Sequence, residues 1–286
     1  MRLLATADLH YNHPRSRASA EALIDRLNGI EADVLLLVGD TAVAEGDDLE
    51  QCLSRFRFDG PRLFVPGNHE LWTRGPDSYT ILSEDLPRRV KKLGWRYLPE
   101  EPFVQGDVGI VGSVGWYDYS FAPAHLDIPR RFYEAKISPG AAARFGEFEH
   151  LLADSSDIPP AAMEIMARWN DGKFVKLGRS DEAFLEELME VIEVQLRGVA
   201  TIKHVVAAVH HVPFAELLPP AHKAQWDFAR AYLGSGRMGE LLMKFANVKT
   251  ALCGHSHFAA EATIGGIRAI NIGSGYRVKA HVVLDL

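Results

Sequence analysis

Five short apolar runs, none alternating with polar residues, each break off into side chains that ligate metals. "RLLAT" (2–6) runs into Asp8 and His10, "DVLLLV" (33–38) into Asp40, and "RLFV" (62–65) into Asn68 and His69. "HVVAAV" (204–209) ends in His210 and His211, and "TALC" (250–253) is followed by His255 and His257. Runs this short and this uniformly apolar read as strands covered on both faces. Between the first two, "SAEALIDRLNG" (19–29) places Leu23, Ile24 and Leu27 on one face and closes at Gly29, which predicts a helix. Strand–helix–strand order implies parallel strands whose carboxyl ends share one edge, the edge at which open α/β sheets bind ligands.

Each polar residue at that edge has an ordinary explanation of its own. Asp8 could cap a turn, Asp40 a helix, and His210 could be a satisfied buried imidazole. Taken together they require five coincidences at five strand ends. Two carboxylates, an amide oxygen and several imidazoles make a mixed oxygen and nitrogen set. Such a set suits manganese, iron or zinc and is too rich in nitrogen for calcium. The ligands outnumber those of one tetrahedral zinc, so two divalent ions sharing a carboxylate are expected.

Composition narrows the partners. The 286-residue chain carries a formal charge of −7, so it has no global basic field to hold long nucleic acid. A local site built by metals could still take a phosphate. Its two cysteines, Cys52 and Cys253, sit among apolar neighbours and read as lone buried thiols of a reducing compartment. The start "MRLLATADLH" is too short for a signal-peptide core, and no later stretch approaches a membrane span. A cytoplasmic protein without a membrane partner is expected. Internal repeats and glycine-rich nucleotide loops do not occur.

The motifs "DLH" (8–10), "GD" (39–40), "GNHE" (67–70), "HH" (210–211) and "GHSH" (254–257) come in the order of the calcineurin-like metallophosphoesterases, which the chain resembles over nearly its whole length. The resemblance implies a four-layer α/β/β/α sandwich of two mixed β-sheets flanked by helices. It implies two divalent ions, with Asp8, His10 and His257 on one, Asn68, His210 and His255 on the other, and Asp40 bridging. It further implies a phosphoesterase in which a metal-bridging hydroxide attacks phosphorus. His69 would act as general acid or cationic donor toward the leaving oxygen. Glu70 reads first as an acid in a helix's opening turn. His210 is preferred to His211 because the latter lies one step further into the loop before Pro213. One departure stands out: Val43 occupies the position, three after Asp40, where the protein phosphatase branch has an acid supporting the catalytic His. Asp47 or Asp48 could orient His69 instead, and a serine/threonine protein phosphatase is disfavoured.

"GIVGSVG" (109–115) predicts another strand, which would bring Trp116 and Tyr117 to the same edge. With His13 and His211 they are candidate substrate contacts. "AAARFGEFEHLL" (141–152) is helix-like. "SDEAFLEELMEVIEVQLRG" (180–198) is an amphipathic helix with Ser180 as N-cap and Phe184, Leu185, Leu188, Ile192 and Leu196 inward. The chain reads as one domain, 1–286, with a largely helical insertion at 117–200 that sets specificity. The runs "AEATIGGIRAINIGSG" and "KAHVVLDL" are expected in the second sheet. A small phosphate ester is the expected substrate, with a diester favoured over a monoester. A catalytically silent metal-binding module would have lost ligands that are intact here.

Overall fold

Every apolar run that fails to alternate proves to be a strand with a covered face on each side. The computed structural model describes residues 1–75 and 77–286. In chain order the strands are β1 (Arg2–Thr6), β2 (Val34–Val38), β3 (Arg62–Val65), β4 (Arg96–Tyr97), β5 (Phe103–Gln105) and β6 (Val108–Ser113). They continue as β7 (His204–Val209), β8 (Val248–Cys253), β9 (Ala260–Ile264), β10 (Ile267–Asn271) and β11 (His281–Asp285). One sheet has the order β11-β1-β2-β3-β4, the other β5-β6-β7-β8-β10-β9. Both are mixed: β1 to β4 run parallel with β11 antiparallel, and β6, β7, β8 and β10 run parallel between the antiparallel β5 and β9.

Alternate residues of each strand serve two different cores. Leu3, Val34, Leu36, Leu63 and Val65 of the first sheet join Ile110, Val206, Ala208, Leu252 and Ile270 of the second. Their neighbours Leu4, Leu35, Leu37 and Phe64 belong to a second cluster with Leu23, Ile24 and Leu27 of the helix Pro14–Leu27. The same cluster holds Val111, Val205 and Ala207 together with Phe184, Leu185, Ile192 and Leu196 of the helix Asp181–Gly198. This is the expected four-layer sandwich, and each fully buried Leu or Val contributes about 1.5–3 kcal/mol toward it.

The helix Asp181–Gly198 matches its periodicity. Ser180 Oγ accepts from Ala183 N at 3.2 Å, and the inward residues are those expected. Gln195 locks it to the sheet, donating to Gly112 O and accepting from Gly112 N, both at 3.2 Å. The helix predicted over 19–29 starts earlier, at Pro14, whose fixed φ suits the first helical position. "AAARFGEFEHLL" is not one helix but a turn, Pro139–Ala142, and a 3₁₀ stretch, Gly146–Leu152. "KAHVVLDL" also differs from expectation. It forms β11 in the first sheet, paired with β1 from Arg2↔Asp285 to Thr6↔His281, rather than joining the second. There it covers the edge that β1 would otherwise expose. Cys52 and Cys253 are buried free thiols. Among the described residues no helix is long and apolar enough to cross a membrane.

Candidate metal centre

Strand ends β1, β2, β3, β7 and β8 deliver the polar residues to one place, and the backbone is bent to do it. Asp8 (φ 55°), His10 (43°), Asp40 (52°), His255 (65°) and His257 (56°) all adopt the left-handed conformation. That conformation is costly for residues with a Cβ and persists where the surroundings enforce it. Here the loops brace one another: Asp8 N donates to Gly39 O (3.0 Å), His10 N to Asp40 O (2.8 Å), and Gly254 N to His210 O (3.0 Å). The motif glycines are required by space. A Cβ at Gly67 would lie 2.2 Å from Asp40 Oδ1 and 2.7 Å from His210 Nε2, and one at Gly254 would lie 2.4 Å from Asp8 Oδ2.

Asp40 sits in the middle. Its Oδ1 is 3.3 Å from His210 Nε2, and its Oδ2 is 3.6 Å from His10 Nε2 and 3.8 Å from His69 Nε2. Asp8 Oδ1 is 3.7 Å from His257 Nε2, which in turn is 2.9 Å from His10 Nε2. Three groups with metal-ligand spacing overlap in this space: Asp8 with His10 and His257, His10 with Asp40 and His69, and Asp40 with His210 and His255. The donor set passes a direct test of fit. Asn68 Oδ1 and His255 Nδ1 are buried with no hydrogen-bond partner, an arrangement native interiors avoid unless something else satisfies the atom. The residues present could hold two divalent ions.

Electrostatics point the same way. Burial pushes the Asp8 carboxyl up to about 7, with Asp40 adding to the effect. Burial also raises Asp40, but the imidazoles of His69, His210 and His10 outweigh it and hold that carboxyl well below the usual range. Burial drives His10 and His255 well below the ordinary imidazole value and His257 down to about 4. Burial lowers His210 as well, yet Asp40 beside it wins and raises it to about 9. His10, His255 and His257 are thus neutral, the form in which histidine binds a cation, whereas His210 must give up its proton when it ligates.

Glu70 has a larger role than an acid in a helix's first turn. It stands in the 3₁₀ turn His69–Leu71, but its carboxylate reaches back to four backbone N–H groups: Asp40 (3.0 Å), Thr41 (2.6 Å), Ala42 (3.0 Å) and Gly67 (2.6 Å). It ties the β2 exit to the β3 exit. His69 is not oriented by Asp47 or Asp48, which bond Gln51 and Arg17 instead. Its ring lies against Trp72, with centroids 3.7 Å apart.

None of the four candidate substrate contacts lines the cleft above the cluster. Trp116 and Tyr117 are fully buried, their polar atoms donating to Asp181 Oδ1 (2.7 Å) and Asp171 Oδ2 (3.2 Å), and neither reaches the open cleft. Having followed a buried strand, both rings turn into the core. His211 is buried too, with Nδ1 2.9 Å from Val114 O and its ring 4.1 Å from that of His255. His13 caps the first helix, accepting from Arg15 N at 3.2 Å, and packs on Tyr276. The cleft above the cluster encloses about 700 Å³ and is walled by Trp72, Trp169, Trp226, Phe258 and Tyr276, with Arg168 and Arg230 beside them. Sequence reasoning missed these wall residues and the buried Asp171, because no motif marks them. Lys279 was missed as well; its Nζ donates to Asp8 O at 2.5 Å.

The calcineurin-like phosphoesterase family model matches residues 1–259. An [acyl-carrier-protein] phosphodiesterase, PptH of Mycobacterium tuberculosis, is 33% identical over 131 residues, which span 42% of this chain and 39% of that protein. The match thus covers well under half the length of the curated relative. The crystal structure of the phosphopantetheinyl hydrolase PptH from Mycobacterium tuberculosis superposes with a TM-score of 0.66 at 20% identity, covering 96% of this chain and 89% of that one. A dimetal phosphatase from Danio rerio superposes at 0.53 with 11% identity, covering 99% of this chain and 91% of that one. At these identities the two superpositions show a common fold.

Proposed function

Because the chain belongs to the calcineurin-like phosphoesterase family, we propose that it is a metal-dependent hydrolase of phosphoric esters, with small phosphodiesters as the preferred class. Asp8, His10 and His257 would hold one divalent ion, Asn68, His210 and His255 the other, and Asp40 would be shared between them. The observation that carries this reading is Asp40, with one oxygen toward His210 and the other toward His10, in a buried pocket that leaves Asn68 Oδ1 and His255 Nδ1 unpartnered. The mixed donor set favours manganese, iron or zinc. When bound, such a pair supplies Lewis acidity toward phosphoryl oxygens and a water acidified to near neutral pH.

The chain's own residues do the rest. His69, at the cleft face of the cluster, donates a proton or hydrogen bond to the departing alkoxide. Glu70 and Lys279 hold the ligand-bearing loops in their left-handed turns. The aromatic walls and the two arginines accommodate an organic arm and further negative charge beyond the reacting phosphate. A cleft of about 700 Å³ is far larger than a phosphate and leaves room for an organic substituent beyond it. The relative named as an acyl-carrier-protein phosphodiesterase supports the choice of a diester. The overall negative charge disfavours long nucleic acid.

The test is hydrolysis of bis-p-nitrophenyl phosphate against p-nitrophenyl phosphate by metal-stripped protein restored with manganese, iron or zinc in turn. Metal-dependent turnover that prefers the diester is expected. Preference for the monoester would overturn the diester assignment. No turnover in protein shown to bind two ions would overturn the assignment for simple aryl esters.

A further inference from the structure

We propose that Asp171, contributed by the insertion, is the positioning residue of the metal site: it aims the oxygen of Asn68 and fixes the ring that His69 leans on. This rests on the reading of the cluster as a dinuclear centre. Asp171 is buried and accepts four side-chain hydrogen bonds. Oδ1 takes Asn68 Nδ2 at 2.9 Å and Trp72 Nε1 at 2.7 Å; Oδ2 takes Trp169 Nε1 at 2.8 Å and Tyr117 OH at 3.2 Å. The donors come from the β3 exit, the β6 exit and the insertion itself, so one carboxylate joins three segments of chain.

The consequence for Asn68 follows from donor chemistry. An ionised carboxylate only accepts, so Asn68 must present its amino group to it, and its carbonyl oxygen is thereby turned the other way. That oxygen is the buried, unpartnered Oδ1. Before a cation binds, the bond to Asp171 is the side-chain hydrogen bond that chooses between the two orientations of the amide, one of which puts an NH₂ where a cation's ligand is needed. The consequence for His69 runs through Trp72. The indole is held by Oδ1 on its edge, stacks on His69 on one side (3.7 Å) and on Phe174 on the other (5.1 Å). Phe174 lies in the same helical turn as Asp171, Asp171–Phe174, and its carbonyl accepts from Thr73 N at 2.8 Å. Partners that orient metal ligands typically govern affinity or activity by roughly 10–100-fold.

The experiment compares wild type, Asp171→Asn, Asn68→Ala and the double variant, using Mn²⁺ alone as probe. Binding to metal-stripped protein is followed by calorimetry, and the ion pair by electron paramagnetic resonance, where coupled and single ions differ. The positioning role requires that Asp171→Asn weaken one of two ions by roughly 10–100-fold and convert the coupled signal to that of a single ion. It also requires that the second substitution add less than threefold in the Asn68→Ala background. A purely structural knot would instead lower metal-free stability and weaken both ions alike, or add independently to Asn68→Ala; either result overturns the proposal. Should Asp171→Asn not fold, Tyr117→Phe/Trp169→Phe strips both donors from Oδ2 and must weaken the same one ion at least threefold; unchanged affinity overturns the proposal. Wild type that binds fewer than two ions would instead sink the dinuclear reading itself, and the role of Asp171 with it.

Discussion

Trp72 lies nearly flat on His69, with ring centroids 3.7 Å apart and planes 24° from parallel. Val43 occupies the position of a supporting acid, and Asp40 Oδ2 at 3.8 Å is beyond hydrogen-bond distance of the ring nitrogen, so the Trp72 face is the contact that can orient His69. Aromatic stacking is worth roughly 0.5–1.5 kcal/mol, which corresponds to about 2- to 12-fold in rate. Trp72→Ala is therefore expected to lower kcat by about that factor with both ions retained, whereas Trp72→Phe, which keeps an aromatic face but loses the bond to Asp171, should fall between the two. Equal rates in wild type and Trp72→Ala would show that the stack does not position the imidazole.

His69→Ala should separate the imidazole's chemistry from metal binding. As a proton donor it matters in proportion to the basicity of the leaving oxygen. The variant is expected to keep two ions and to lose about 10²–10⁴-fold with an alkyl phosphodiester. It should lose far less with bis-p-nitrophenyl phosphate, whose leaving group departs without a proton. Kinetics on both esters decide it: equal losses would assign His69 to something other than leaving-group protonation.

Asp40→Ala tests the bridge. The carboxylate faces His210 through one oxygen and His10 and His69 through the other, so on the proposed reading its removal takes a ligand from each half of the site. Both ions should be lost on dialysis, measured by elemental analysis, with turnover falling below about a thousandth of wild type if the metals supply most of the stabilisation of the reacting phosphate. Retention of one ion at full affinity would show that Asp40 serves a single site.

The gathering of these polar residues at one edge was legible because strand burial on both faces removes alternation, and a polar residue ending such a run has little reason to be there except the edge it reaches. Asp8, Asp40, Asn68 and the paired histidines all followed from that rule. The supporting groups did not. Asp171 follows "RWN" in an aperiodic stretch, and its partners lie 103, 99 and 54 residues away in sequence for Asn68, Trp72 and Tyr117. Trp116 and Tyr117 turn inward, and leaving a strand at that edge does not say whether a ring turns to solvent or back into the core. The place of β11 depended on which sheet edge was open, a property of the assembled sheet rather than of the run "HVVLD".

His211 offers a test on stability rather than rate. Burial, reinforced by His210 beside it, pushes its imidazole down to about 3. The unfolded chain takes up the proton near the ordinary value of about 6.5, so over the interval between the two values protons bind the unfolded state and favour it. The contribution is full above about pH 6.5 and is lost as pH falls toward 3, at up to about 1.4 kcal/mol per pH unit. Urea unfolding of metal-free protein at pH 7 and pH 5 should show wild type losing about 2 kcal/mol more than His211→Gln over that step. His10 and His257 shift in the same direction in both proteins, whereas His255 lies against His211 and is lowered partly by it, so the difference reports His211 together with its coupling to His255. If the two proteins lose the same amount, His211 is protonated in the folded state at pH 5, and Val114 O together with a second acceptor must be holding the cation.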